Sequence, residues 1–536
     1  GDLDRIRASE LLKNLGLKGP LYSGIGSTRF WASFEQGRVT SITADLALAD
    51  VRAQLAPKLA ELRLPRLTGR LHYADDGSQT RFSAKDFTFT TLNDARFGPS
   101  DIEAQCDHDV SGTVIGCSFK ASELSLSNIA KIGTSLPLPA AALKLLRDRP
   151  FSGTLRQLNA SFNGDYADLG AWTFSSFFTG LSLPPANDGM PGVRNISGEI
   201  STSNPGEFEV DLDTHYATLY FPGIFRHPQM NFSSITGRVS AALHSTPKFT
   251  FTNITAVSAD GTVRGSGTWE STGGAGTINI SGTAEGVDGA AVHKYLPIVV
   301  GDPALDYVEA AVLAGRVSNG RWEVRGKLDD FPWDGAAPQE GHFLIEGDVT
   351  DGRMDFMPSR RAVTRSGRTE WAQGEHWPLL TNIVGRMQFE GNRMTITGHS
   401  ASSGGLKARD VVVEIPSFAA DPVMLTVKGA AEGDLKDALA YLSTTPFLKE
   451  IYGESFDQSK GSGSVQTILD LALPLTGNNA PKWSVTSTIS NGRFQYLPIL
   501  PEITQLSGTL LTADSGVLTP KPLVGKTSAG PITISA

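Results

Sequence analysis

Histidine is the residue type in this sequence that first raises the question of metal chemistry. Zinc sites use histidine and cysteine at short, recurring spacings, most simply two histidines four residues apart on one helix face. None of the nine histidines has such a neighbour; they are His72, His108, His215, His227, His244, His293, His342, His376 and His399. Isolated histidines are mostly structural or surface residues, so the sequence predicts no metal site and no cofactor.

Acid and nucleophile chemistry is also poorly supported. Adjacent carboxylates such as Asp329 and Asp330 suit glycoside hydrolysis by type, but nothing in the sequence brings another acid to the required separation. Nucleophile-elbow, phosphate-loop and dinucleotide-binding motifs are missing, and pairs such as Gly265 and Gly267 are typical of strands or hairpins. We therefore predict that the chain is not an enzyme.

Cys106 and Cys117 flank the short segment Val110–Val114. A two-residue turn at Ser111 and Gly112 would place the two thiols opposite each other across a hairpin, which suits an oxidising compartment. Two unpaired, buried thiols fit the spacing equally well, because spacing alone does not define disulfide geometry. The pair is therefore a candidate disulfide.

Length and composition indicate a β-rich array instead of one compact core. The chain has 536 residues, more than a single core usually supports. It contains 57 Gly and 30 Pro, and only 19% of its residues are charged, a balance typical of turn-rich β structure. The net charge of -9 and the lack of a basic, aromatic-rich run disfavour a nucleic-acid partner. No apolar stretch is long enough for a membrane-spanning helix, so we expect a soluble chain.

A glycine signature recurs along the chain: an apolar or small residue, any residue, Gly, any residue, then usually an apolar residue. Copies begin at Leu67, Val110, Phe151, Ile196, Ile235, Ile280, Leu313, Ile345, Ile383, Val427, Gly461 and Leu506. The intervals between successive signature glycines, from Gly69 to Gly508, stay between 32 and 45 residues. This regularity predicts a repeat array; a β-propeller has a similar period, but its sequence motifs are missing.

Between the glycines, apolar and polar residues alternate. Trp322, Val324 and Leu328 share one parity, and charged residues such as Glu323 and Arg325 occupy the other. This period of two predicts half-buried antiparallel strands with one apolar and one solvated face. The candidates for the apolar face are Phe208, Val210, Leu212, Phe249, Phe251, Trp322, Val324, Leu328, Met387, Phe389, Val411, Val413, Ile415, Leu469, Leu471 and Leu473.

Three helical inserts interrupt the strands, at about 128–147, 287–314 and 435–456, and we expect them to cover sheet edges or ends. In the second, Asp306–Leu313 is predicted as a short amphipathic helix. The predicted fold class is mostly β, an elongated, twisted antiparallel β-sheet repeat array. Its stretches are 1–150, with an N-terminal helix and the first insert; 151–286, with β repeats; 287–433, with the second insert and β repeats; and 434–536, with the third insert and β repeats. We expect one continuous array, not independent domains.

Short ordered strings within residues 155–475 carry a family resemblance. The longest series runs from Tyr295-Leu-Pro297 through Leu305-Asp-Tyr307 to Gly326-Lys-Leu-Asp-Asp-Phe-Pro-Trp333, and Phe221-Pro-Gly-Ile-Phe225 is a shorter string. With these strings the chain resembles the YhdP-type members of the AsmA-like family of Gram-negative bacteria. The segment 359–373, polar and rich in arginine where the family has a strand, departs from the resemblance and is interpreted as a loop.

The resemblance implies a function and a cellular place. Such proteins are bridge-like lipid transporters whose open, taco-like sheet shelters phospholipid acyl chains between the inner and outer membranes. The apolar-face candidates would then line a lipid groove in the periplasm, with phospholipids and the two membranes as partners. The family's N-terminal inner-membrane anchor has no counterpart in the sequence, which starts at Gly1 without Met, so we expect an internal fragment.

Other interpretations remain open at the level of sequence. Alternation does not distinguish an open groove from a closed sandwich or barrel, although repetition without visible domain boundaries favours the groove. The main alternative function is a structural or adhesive β-repeat protein without lipid cargo. A carbohydrate-active β-helix is disfavoured, because its coils are shorter than the observed repeat.

Overall fold

Two compact units make up the chain. The computed structural model describes residues 1–14, 21–35, 38–55, 59–92, 95–136, 138, 140–164, 172–186, 190–204, 206–243, 245–331, 333, 340–358, 360–365, 368–373, 377–445, 456–477, 479–513 and 516–536. Unit 1 comprises residues 1–223 and 227–259, and unit 2 comprises residues 224–226 and 260–536. The four stretches and the single continuous array expected from the sequence stay predictions.

Unit 1 is built of long antiparallel strands, and each pairs with the next along the chain. They are β1 Asp2–Arg7, β2 Leu21–Glu35, β3 Arg38–Ala53, β4 Leu62–Asp75, β5 Gln79–Thr90, β6 Arg96–His108, β7 Val114–Ser125, β8 Ser152–Asn163, β9 Trp172–Leu183, β10 Gly192–Asn204, β11 Glu207–Tyr220, β12 Gln229–Ala242 and β13 Lys248–Ser258.

Unit 2 follows the same antiparallel scheme. Its strands are β14 Gly261–Glu270, β15 Thr277–Glu285, β16 Val287–Asp288, β17 Val312–Lys327, β18 Gly341–Met354, β19 Arg360–Arg365, β20 Arg368–Gln373, β21 Leu380–Glu390, β22 Arg393–Ser403, β23 Leu406–Ile415, β24 Met424–Asp434, β25 Lys460–Pro474, β26 Lys482–Gln495, β27 Ile503–Ala513, β28 Gly516–Leu518, β29 Leu523–Thr527 and β30 Gly530–Ile534. The predicted fold class, mostly β with antiparallel repeats and few helices, is confirmed.

Short helices interrupt the strands at the predicted inserts. The α-helices are α1 Ala8–Asn14, α2 Leu126–Ile132, α3 Ala140–Asp148, α4 Asp302–Ala311 and α5 Leu435–Thr444, and 3-10 turns span Gly133–Ser135, Gly289–Tyr295, Ile298–Val300 and Leu328–Asp330. The helix predicted over Asp306–Leu313 in fact ends at Ala311, because β-branched Val312 already begins β17. Residues 446–455 of the third insert lie outside the described residues.

The inserts of each unit lie at one edge of its sheet, where edge means the side formed by the ends of the strands and not an outermost strand. In an antiparallel meander, every second connection returns to the same edge. In unit 1, α1 joins β1 to β2, and α2 and α3 join β7 to β8; in unit 2, α4 precedes β17 and α5 joins β24 to β25. We call this edge of each unit the insert edge. It is where helices cover the sheet, as the sequence predicted.

Several of the signature glycines lie opposite β-bulges, although Gly112 lies in a hairpin loop and Gly282 in a regular stretch of strand. Gly237 on β12 stands where the register with β13 shifts, and Asn253 on β13 is the extra residue, with φ of 51°. A Cβ at Gly237 would stand 2.8 Å from the carbonyl oxygen of Asn253. Gly69 faces Asp86 in the same way. Since a bulge bends its strand and increases its twist, the glycine repeat marks recurrent bends in the sheet.

The hairpin between β6 and β7 differs from its predicted form. Its loop is Asp109–Thr113, longer than the predicted two-residue turn, because the Asp109 carboxylate accepts hydrogen bonds from the backbone N–H groups of Ser111 and Thr113. The Ser111 hydroxyl also donates to it and lowers the pKa of Asp109. Cys106 and Cys117 stand directly opposite each other and are joined by a disulfide.

The arginine-rich segment predicted as a loop forms a hairpin of its own. Strands β19 and β20 pair in register from Arg360 opposite Gln373 to Arg365 opposite Arg368. This two-stranded sheet is separate from the main sheet of unit 2. The pairing of β19 with β20 shows that the loop interpretation was wrong.

The disulfide should stabilise the hairpin that it closes. We expect the double substitution Cys106→Ser and Cys117→Ser to weaken the β6–β7 pairing by about 3 kcal/mol, because the bond closes a short loop across adjacent strands. Hydrogen exchange of the β6 and β7 amides measures this locally. A reductant should accelerate exchange in the wild type and leave the double variant unchanged; equal protection in both proteins would contradict the prediction.

Paired glycines on β21 and β22 provide a test of close strand contact. A Cβ at Gly385 would stand 2.5 Å from the carbonyl oxygen of Thr397, whereas one at Gly398, its direct partner, would meet ordinary contacts at 3.4 Å. We expect Gly385→Ala to destabilise the region by about 1–3 kcal/mol and Gly398→Ala by less than about 0.5 kcal/mol. Amide exchange in β21–β23 checks this difference, and an equal effect of both substitutions would refute it.

Candidate functional site

One face of the unit 1 sheet carries an unbroken row of mainly apolar side chains. Directly opposed residues form this row from β3 to β9: Ile42, Tyr73, Phe82, Ala104, Phe119, Ala160 and Phe174. The row continues on β11, β12 and β13 with Phe208, Ala241 and Phe249. The rings of Phe174 and Phe208 have their centroids 5.7 Å apart. This side of the sheet is the apolar face of unit 1.

Large and small residues alternate along this row. A phenylalanine stands on every second strand, and alanine or threonine stands on the strand between; we call Phe82, Phe119, Phe174, Phe208 and Phe249 the phenylalanine row. Strands lie about 4.8 Å apart, so the backbones that carry successive phenylalanines are about 10 Å apart. The rings can lean closer than this, as those of Phe174 and Phe208 do. The row therefore presents a repeating series of rings with shallow gaps between them.

Sequence reasoning identified only part of this row. Phe208 and Phe249 were among the candidates, but Phe82, Phe119 and Phe174 were not. The sequence does contain a signal for them, because apolar residues alternate along their strands; on β5, for example, Phe82 and Ala84 fall on the same face. Only the register of successive strands shows that the five phenylalanines belong to one row.

Towards the insert edge, the apolar face of unit 1 is closed. Ala8 of α1 and Ile132 of α2 are buried in one cluster with Leu48, Leu67 and Phe89 of the sheet. A second buried cluster contains Phe178, Ile196, Ala217 and Ile235, and the predicted residues Val210 and Leu212 pack against it. Predicted Phe251 stands opposite Val239, next to Val210. These contacts fix the sheet. Phe119 of the phenylalanine row still packs against the first cluster, and the other four phenylalanines lie beyond it.

Unit 2 has an apolar face of its own, richer in aliphatic residues. One row of opposed residues is Trp322, Ile345, Phe389, Met394 and Ile415; another is Met387, Ile396, Val413, Val427, Leu471 and Trp483; further opposed pairs are Val324 with Phe343, Leu425 with Leu473, and Leu469 with Val485. Val411 is opposite Gly398 on the same face. The structure thus brings nearly all unit 2 candidates onto one face.

Leu328 is the exception among the candidates. Strand β17 ends at Lys327, and Leu328 begins a 3-10 turn instead of continuing the strand. Its backbone N–H donates to the carbonyl of Gly276. The placement of Leu328 on the strand face was therefore wrong, because the chain turns to enter the next connection.

The apolar faces are incompletely covered. Phe82 is 37% exposed, and Phe119, Phe174, Phe208 and Phe249 are half-buried. Facing sheets of a closed sandwich bury such central residues between them. Within the described ranges of each unit, the closest packing partners of a strand are its neighbouring strands and short helices or 3-10 turns. The exposure favours an open face over a sandwich core.

The opposite face of each sheet is charged and ion-paired. In unit 1, Arg238 binds Asp211 at 2.7 Å, and this hydrogen bond raises the pKa of Arg238. In unit 2, Arg386 bridges Glu346 at 2.9 Å and Asp348 at 2.7 Å. Hydrogen bonds from Asn319 and Arg386 lower the pKa of Asp348. This face is solvated, so the apolar face is the one available to an apolar ligand.

Other kinds of site find little support. Over the described part of the chain, no group of three or more His, Cys, Asp or Glu side chains is placed to hold a metal ion. His244 and His376 lie outside that part. Among the described helices, none combines the length and apolar character needed to cross a membrane.

Comparison with known proteins identifies the relatives of this chain. A stretch of 222 residues is 22% identical to the intermembrane phospholipid transporter YhdP of Escherichia coli (strain K12). The match covers 41% of this chain but only 16% of that protein, so the matched stretch corresponds to a small part of its relative. No solved structure matches the chain.

The family assignment covers almost every residue. The YhdP protein family matches residues 2–536, well beyond the 155–475 that carried the resemblance in the sequence. The predicted kinship is confirmed. The chain belongs to the YhdP protein family.

Proposed function

We propose that this chain is a segment of a bridge-like lipid transporter, and that its apolar faces shelter phospholipid acyl chains. The observation that carries the proposal is the row of half-exposed apolar residues on one face of each unit, opposite a charged and ion-paired face. An apolar surface of this extent needs a cover, and the described chain supplies one only towards the insert edge. Acyl chains would cover the rest.

The energetics of this binding are favourable. An acyl chain of about sixteen carbons, buried at about 0.8 kcal/mol per CH2, gains on the order of 12 kcal/mol before the costs of association. A chain lying on an open face buries only part of its surface, so the net gain is smaller. Binding of this strength holds a lipid out of water and still permits exchange.

The regular rows also suit movement. When an acyl chain moves along the phenylalanine row, it leaves one ring and meets another of the same kind two strands further on. The contacts that it loses are replaced by equivalent contacts, so no deep well holds it in place. The faces would bind lipid without a single essential residue.

The family supports a proposal for the cellular setting. The relative in Escherichia coli is named an intermembrane phospholipid transporter. By analogy, we place this segment in the periplasm, with phospholipids as cargo and the inner and outer membranes at the ends of the longer protein, which an N-terminal helix would anchor. A bent, groove-like arrangement of the sheet and a non-enzymatic role belong to the same proposal.

Substitution of face residues tests the proposal on one strand. We expect Leu471→Asp, on the apolar face of β25, to lower the phospholipid retained by the purified protein about twofold, because a carboxylate there must be desolvated by an acyl chain while the rest of both faces still binds lipid. Ile468→Asp is the matched control. Ile468 lies on the charged face of the same strand and is 62% exposed, so its substitution should leave lipid retention unchanged.

The measurement is mass spectrometry of organic extracts, with circular dichroism to verify that both variants fold. A second matched pair on β23, Val413→Asp against Val412→Asp, should behave in the same way. If the wild-type chain retains no phospholipid, a structural or adhesive role is supported instead. Equal retention by face and control variants would locate the lipid elsewhere.

A further inference from the structure

The side chain of Trp322 lies across neighbouring strands on the apolar face of unit 2. Side chains of strands usually stand roughly perpendicular to the sheet. Trp322 is on β17, directly opposite Gly282 of β15, and Gly282 is directly opposite Gly265 of β14. Two successive strands beside the tryptophan thus carry no side chain at its level. We call Gly265 and Gly282 the glycine floor.

The indole lies in close contact with the glycine floor. A Cβ at Gly265 would stand 2.5 Å from Cζ2 and 2.7 Å from Cη2 of Trp322, and a Cβ at Gly282 would stand 2.6 Å from the same Cζ2. Carbon atoms in contact are about 3.5–4.0 Å apart, so a side chain at either position would displace the ring. The Nε1–H of Trp322 donates to the carbonyl of Thr283 at 3.3 Å, which holds the ring in this orientation.

Apolar side chains flank the glycine floor on the same face. Val263 is opposite Ala284 on one side of it, and Ile280 is opposite Val324 on the other. Val263 is 40% exposed, and Trp322 is half-buried. The inner surface of the indole rests on the sheet, so its exposed part is the outward surface. The indole therefore fills the gap between these apolar residues without standing above them.

Trp333 also lies on glycines, but as part of a closed cover. Its ring covers Gly326 and Gly341, which are paired on β17 and β18 at the edge opposite the insert edge. Trp333 is only 7% exposed, and the ring of Phe331 packs edge to face on it with centroids 5.0 Å apart. Burial of this kind explains a structural tryptophan. Trp322, in contrast, keeps one surface on the open part of the face.

We propose that Trp322 is a contact residue for lipid acyl chains, and that its low position on the glycine floor keeps the apolar face passable between β14 and β18. This inference rests on the proposed function. Three strand intervals of about 4.8 Å separate β14 from β18, so an acyl chain that lies across these strands passes directly over the indole. A flat ring offers that chain a large apolar contact area. A ring standing upright on β17 would interrupt its path.

The test displaces the indole and then removes it. The variants of the full chain are Gly265→Val, Gly265→Val/Trp322→Ala and the matched control Gly398→Val. Gly398 points to the same face of unit 2, where a Cβ would meet Val411 at an ordinary 3.4 Å. Circular dichroism verifies that each variant folds.

Photolabelling gives the position of the acyl chain. Each protein is incubated with phosphatidylcholine vesicles in which part of the lipid carries a diazirine in the middle of one acyl chain. The protein is separated from the vesicles, irradiated and digested, and mass spectrometry identifies the labelled peptides. The peptide of Leu471 on β25 serves as the internal reference, because it lies on the same apolar face away from the glycine floor.

In the wild type we expect label around Val263 and Ile345, on the two sides of the indole, and at Leu471. Gly265→Val should lower the label around Val263 and Ile345 about fivefold relative to Leu471, because the valine forces the ring off the glycine floor and into the path. The double variant should restore this label, since the valine then occupies space that the indole has left. Gly398→Val should leave the pattern unchanged.

Unchanged labelling in Gly265→Val would overturn the inference. A loss of label that the double variant does not restore, or that Gly398→Val reproduces, would overturn it as well, because the valine would then act through the strand and not through the indole. Label at Leu471 of the wild type, with none around Val263 and Ile345, would overturn the inference and leave the proposed function intact. Absence of label from both apolar faces of the wild type would overturn both.

Discussion

An antiparallel sheet with alternating residues has one face that water solvates poorly, and that face must be covered. Near the insert edge of unit 1 the protein covers it itself, with Ala8 and Ile132 buried against Leu48 and Phe89. Away from that edge, Phe82 and the rest of the phenylalanine row stay partly exposed. This division of the apolar face explains two features of the molecule: helices cover one part of the face, and an apolar ligand is needed to cover the other.

Glycine residues help to keep the apolar face regular along the sheet. A strand that carries an extra residue at a bulge needs room on its neighbour, and a signature glycine provides it. Gly237 and Asn253 show both features: the glycine leaves room, and the extra residue Asn253 adopts the left-handed backbone conformation that asparagine tolerates. Because the bulge adds one residue on one strand only, the apolar residues beyond it can keep to the same side of the sheet. Val210, Val239 and Phe251 remain aligned on one side of the bulge, and Ile254 and Ala256 still pack on the other.

Local sequence patterns predicted the elements well and their relations less well. A period of two identified strands such as β23 and β25, and register then confirmed that Val413 and Leu471 share a face through Val427. No pattern within one strand reveals which residue of the next strand stands opposite, so the phenylalanine row was only partly visible. The prediction for Leu328 was wrong because the alternation of apolar and polar residues continues in the sequence after the strand has ended at Lys327. The predicted two-residue turn was wrong because the Asp109 carboxylate accepts hydrogen bonds from backbone N–H groups of its own loop, and these stabilise a longer turn.

The two apolar faces differ in residue type in a way that bears on how they would bind lipid. Unit 1 presents a phenylalanine on every second strand with small residues between them, whereas unit 2 presents aliphatic side chains on successive strands, such as Val413, Val427 and Leu471. An acyl chain has no polar group to orient it, so either surface binds it through contact area alone. Neither surface therefore needs a single tight site along its rows.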